Sequence, residues 1–134
     1  MEVCTLWCHT HPTESVTVPA FEFEGQRFRN PVELALQVIG GKWKMPILWR
    51  LEKRTWRYNE LRRELAGISH KMLTQQLREL ERHGLITRTV HPVVPPHVDY
   101  SLTPLGRTTA PIIESLREWG SAFRTKRARS GRPA

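Results

Sequence analysis

Apolar residues recur along most of this chain at helical spacing, and in two places they alternate as a half-buried strand does. The sharpest case is SHKMLTQQLRELERH, residues 69–83. At about 100° per residue, Leu73, Leu77 and Leu80 fall within roughly 60° of one another, with Ile68 just upstream. Lys71, Gln75, Arg78 and Arg82 gather near the opposite pole. Ser69 can cap the start by accepting an early backbone N–H, and Gly84 suits a left-handed stop. The pattern predicts a well-bounded amphipathic helix whose outer side is rich in cations. A solvated surface face is the plain explanation of such a side. The flanking elements and the charge of the whole chain weigh against it.

Upstream, Asn30 stands as N-cap with Pro31 at the first helical position, and PVELALQVI runs from there to Gly40-Gly41. In WKMPILWRLE, Trp43, Ile47, Leu48 and Leu51 keep helical spacing, and Pro46 is tolerable in the opening turn. TWRY reads as a small strand. Asn59 caps, or nearly caps, a helix through Glu60–Leu65 with Leu61 and Leu65 one turn apart. Ala66-Gly67-Ile68 then turns into the 69–83 helix, which is the outline of a helix-turn-helix. Beyond Gly84, LITRTVH alternates, PVVPP breaks it, and HVDYSL alternates again with Val98, Tyr100 and Leu102 on one face. Two such strands form a hairpin, a wing whose outer part spans 91–97. Thr103-Pro104 opens one last helix bearing Ile112, Ile113, Leu116, Trp119 and Phe123. The expected division is an arm over 1–29, extended around Val16–Phe23, a domain over 30–123, and a disordered basic tail over 124–134.

Charge sharpens this picture. The net charge is +8, yet residues 1–29 hold four glutamates against two arginines, so the body carries all of the positive excess. Such a body favours polyanions, nucleic acid first and an acidic membrane surface second. No run of 18 apolar residues exists, and no basic amphipathic segment has a wide aromatic apolar face, so double-stranded DNA is the expected partner and the cytoplasm the expected location. A thin core in 134 residues would gain from a dimer partner.

GGKWKMPILWRL, YNELRREL, GISHKMLTQQLRELERHGLI, VVPPHVDYSLTPLG and EWG, in that order, resemble the HxlR-type bacterial transcription regulators, relatives of the MarR group. The resemblance covers residues 30–120. It implies a mainly α (α+β) fold: a winged helix-turn-helix with a two-stranded wing and flanking dimerisation helices. It further implies a homodimer bound to a palindromic operator. Two positions depart from the family pattern. Redox-sensing members use a cysteine just before Pro-Val-Glu, where this chain has Asn30. Family wings often carry Arg after the Pro-Pro pair, where this chain has His97.

The expected roles follow. With the leucines seated inward, Lys71, Gln75 and Arg78 face the major groove, which admits one α-helix, flanked by Ser69, His70 and Thr74. Gln75 suits adenine; Lys71 and Arg78 suit guanine or phosphate. Phosphate contact alone would give affinity without sequence choice. Tyr58, Asn59, Arg62, Arg63, Arg82, Arg88, His91 and His97 are candidate backbone contacts. Trp43, Trp49 and Trp119 read as core or dimer-interface residues. Cys4, Cys8, His9 and His11 form a C-x3-C-H-x-H set that could bind zinc, switch through a disulfide, or do neither. No cofactor is otherwise implied, and the effector is unspecified. No catalytic set, phosphate loop or HExxH pattern occurs, so an enzyme is not expected. A protein-interaction module that kept the scaffold but lost DNA reading is the rival from another class.

Overall fold

The computed structural model describes residues 19–131. The chain divides into two compact units between Leu34 and Ala35. The first unit holds a hairpin, β1 (Phe21–Phe23) and β2 (Gln26–Phe28), with Phe21 opposite Phe28 and their rings stacked at 5.8 Å. Its two-residue turn has positive φ at both Glu24 (49°) and Gly25 (75°), the geometry of a hairpin turn whose twist matches the strands. The extended stretch was expected here; the returning strand was not, because three-residue strands are too short to show a period. Asn30 does cap α1 (Pro31–Ile39), its Oδ1 accepting from the Val32 N–H at 2.9 Å.

The second unit carries α2 (Lys44–Lys53), β3 (Trp56–Arg57), α3 (Tyr58–Glu64), α4 (His70–Arg82), β4 (Ile86–His91), β5 (His97–Leu102), α5 (Pro104–Arg107) and α6 (Ala110–Arg129). The wing is part of a three-stranded antiparallel sheet ordered β3-β5-β4. Trp56 lies opposite Tyr100, and the β4–β5 register runs from Ile86↔Leu102 to His91↔His97. Ile47, Leu48 and Leu51 of α2 and Leu61 of α3 meet Leu73, Leu77 and Leu80 of α4 in one core, closed by Leu85, Ile86, Tyr100 and Leu102 of the sheet region. Burying each such side chain contributes about 1.5–3 kcal/mol. Among the described residues no helix is long and apolar enough to cross a membrane.

Four expectations need correction. Arg57, not Asn59, precedes the first residue of α3; its backbone N–H donates to the Glu60 carboxylate at 3.4 Å, which already closes that end. The last helix is two helices. Thr103 caps α5, but Pro111 has no N–H and its ring would strike the carbonyl four residues back, so a new helix starts at Ala110. The tail is not disordered over 124–129: α6 continues to Arg129. Lys and Arg are good helix formers, and cations in the last turn complement its exposed carbonyls. The alternation of β4 buries only Ile86, at the base; Val90 lies beyond the core and is exposed.

Candidate nucleic-acid interface

The segment 65–69 makes the approach to α4. Gly67 sits at φ +91°, where a side chain would be strained, and lets the chain turn sharply between α3 and α4. The Ser69 hydroxyl then accepts from the Met72 N–H at 3.0 Å, so α4 starts where its spacing and cap predict. Leu73, Leu77 and Leu80 are fully buried, and Lys71, Gln75, Arg78 and Arg82 are exposed on the far side. The structure brings His70, Lys71, Thr74, Gln75 and Arg78 together along one open groove on that side. Gln75 Nε2 rests 3.4 Å from Glu79 Oε1, an exposed contact that an amide can give up for a base edge. Asn59, Arg62 and Arg63 are exposed on α3.

Tyr58, expected as a backbone contact, has a different position. Its hydroxyl lies 2.6 Å from His70 Nδ1 and 3.1 Å from Thr74 Oγ1, and donates toward the His70 carbonyl at 3.2 Å. It therefore clamps the start of α3 to the first turn of α4. His70 and Thr74 meet the groove with one polar atom each already engaged.

Arg88 points to the opposite flank of α4. With Tyr58, Arg78, Glu81 and Tyr100 it lines a cleft of about 410 Å³ between α4 and the sheet. Burial pushes the Tyr100 hydroxyl above its ordinary pKa, and a hydrogen bond with Arg88 acts the other way. His91 and His97 are directed to the other face of the wing, where both approach Asp99. Cys4, Cys8, His9 and His11 lie outside the described residues.

Two supporting residues escaped sequence reasoning. Lys44 is 7% exposed, and its Nζ lies 2.9 Å from Glu79 Oε2 and 3.4 Å from the Gln37 carbonyl. The Lys44 hydrogen bond holds the Glu79 carboxyl below the usual range, against desolvation, which raises it. This pair bolts the flank of α4 to α2. The signal was present: Lys44 sits three and four residues before Ile47 and Leu48, on their inward face. Asp99, between Val98 and Tyr100, gave no such signal.

The profile of the HxlR-like helix-turn-helix family matches residues 38–128. The chain belongs to this family. It is 47% identical over 105 residues to YdeP of Bacillus subtilis, an uncharacterised HTH-type transcriptional regulator, covering 78% of this chain and 79% of that one. The solved structure of the redox regulator HypR in its oxidised form is 48% identical and superposes with a TM-score of 0.66, covering 69% of this chain and 96% of HypR. The reduced form gives 0.68, with 71% and 94% covered. The HxlR-like chain is thus a winged helix-turn-helix transcriptional regulator with a DNA-binding fold. The family and its relatives are regulators, not enzymes.

Proposed function

We propose that this HxlR-like regulator binds a palindromic operator as a homodimer. Helix α4 lies in the major groove, and wing residues 91–97 rest against the minor groove or backbone. The observation that carries the reading is the outward placement of Lys71, Gln75 and Arg78 opposite three buried leucines. Lys71, Gln75 and Arg78 read base edges, with Ser69, His70 and Thr74 at the groove margin. Asn59, Arg62, Arg63, Arg82 and Arg88 meet phosphates, and Tyr58 sets the angle between α3 and α4. The palindrome follows from two-fold symmetry. The dimer rests on α6, where Ile112, Leu116, Trp119 and Phe123 stand exposed and the last two rings stack at 5.3 Å. HypR is a redox regulator, but with Asn30 before Pro31 the first-helix cysteine switch has no counterpart here.

Selection of bound duplexes from a random pool tests the reading. A palindromic consensus is expected, and Gln75→Ala should lose about 1–3 kcal/mol at one base position per half-site. Equal binding of all duplexes by both proteins would refute it.

A further inference from the structure

The wing carries a second cluster, at the two ends of its 91–97 segment, whose chemistry goes beyond contact with DNA. His97 and Asp99 are two residues apart on β5, so their side chains share a face. His91 lies opposite His97 in the β4–β5 register and joins them. The two imidazoles stack with centroids 4.5 Å apart. His91 Nε2 is 2.9 Å and His97 Nε2 is 4.0 Å from the same oxygen, Asp99 Oδ2. One donor atom from each residue falls within 4.8 Å of the others, and all three side chains are half-buried. The other carboxylate oxygen, Oδ1, is closed to solvent, accepts no hydrogen bond among the described residues, and faces Arg57 Nε at 3.9 Å. The carboxylate is thus divided: Oδ1 faces the Arg57 charge without a hydrogen bond, and the histidines converge on Oδ2.

We propose that His91, His97 and Asp99 form a binding site for a divalent transition-metal ion, zinc foremost. Two imidazole nitrogens and one carboxylate oxygen suit zinc and its borderline neighbours, whereas calcium and magnesium prefer all-oxygen sets. Three protein ligands leave one position for water. Bonds of about 2.0–2.2 Å require donor atoms roughly 3.3 Å apart. His91 and Asp99 already stand close to that, and His97 closes the remainder by turning its ring. Arg57, 3.9 Å from Oδ1, is within reach of becoming the outer partner that a ligating carboxylate needs for its second oxygen. The three residues bridge the two strands at the last pair before loop 92–96, so the ion would brace the wing at its hinge. Metal binding does not depend on the DNA reading, and each can fail alone.

The test is titration of the full chain with Co2+, followed by displacement with Zn2+, with calorimetry for stoichiometry. The parent should bind one ion per chain. His97→Gln and Asp99→Asn should each weaken binding at least about tenfold while keeping the parent circular dichroism spectrum. Cys4→Ser/Cys8→Ser should bind as the parent does, with no thiolate charge-transfer band in either. Absence of stoichiometric binding in the parent, unchanged affinity in the folded His97 and Asp99 variants, or loss of the ion with the two cysteines would each overturn the proposal.

Discussion

Helices α4 and α6 carry the same kind of apolar stripe and come to opposite ends. In α4 the three leucines are sealed by the chain's own α2, α3 and sheet. In α6 only Ile113 is buried, while Trp119 is 66% and Phe123 51% exposed. A hydrophobic period says that a face will be covered; it does not say by what. The helix with the stronger internal anchor is the one we propose presents its other side to DNA, and the helix with the uncovered stripe is the one we propose meets a second copy of the chain. Singly exposed apolar residues are ordinary, but the row of four on α6 is what the proposed dimer rests on.

This contrast can be broken by experiment. The largest effect is expected from Leu77→Ala, which should lower unfolding free energy by about 2–5 kcal/mol in denaturant melts, independent of protein concentration. Trp119→Ala should instead weaken self-association by about 2–4 kcal/mol, seen as dissociation on dilution in sedimentation runs. If Leu77→Ala alone dissociated the protein, or Trp119→Ala changed stability without changing assembly, the division between the helices would be wrong. Glu79→Gln sharpens the comparison, because α4 is anchored by charge as well as by leucine. It leaves the Lys44 ammonium buried without its anion and should cost about 1–3 kcal/mol at neutral pH. The sign of the pH effect follows from the lowered Glu79 pKa. The pair's contribution is present above the ordinary glutamate value of 4.5 and lost as pH falls through the folded value, so parent and variant should converge in acid. Smallest is Arg62→Ala, which should weaken binding to all duplexes alike and reduce the slope of log affinity against log salt by about 0.9. A sequence-dependent loss there would move Arg62 into base reading.

Helix α4 was almost wholly legible: the Ser69 cap, the leucine side, the cationic side and the Gly84 stop follow from local rules. So did the caps at Asn30 and Thr103, and the buried face of β5. What could not be read needs partners distant in sequence. The Tyr58 clamp and the Asp99 cluster depend on how separate elements meet, and neither residue type announces its neighbour. The continuation of α6 through Arg124–Arg129 was misjudged for a different reason. Absence of an apolar period shows that a segment lacks a core to join, not that it lacks a helix to extend.

Thr103 links these regions. Its hydroxyl donates to the Gly84 carbonyl at 2.5 Å and accepts from the Gly106 N–H at 3.0 Å, while its own N–H donates to the Leu85 carbonyl. One residue thus rivets the exit of α4 to the start of α5, which leads into α6. If the proposed dimer is built on α6, this contact would couple the tilt of that helix to the far end of α4. The distance between two operator half-sites would then be a mechanical readout of the packing angle at the subunit seam.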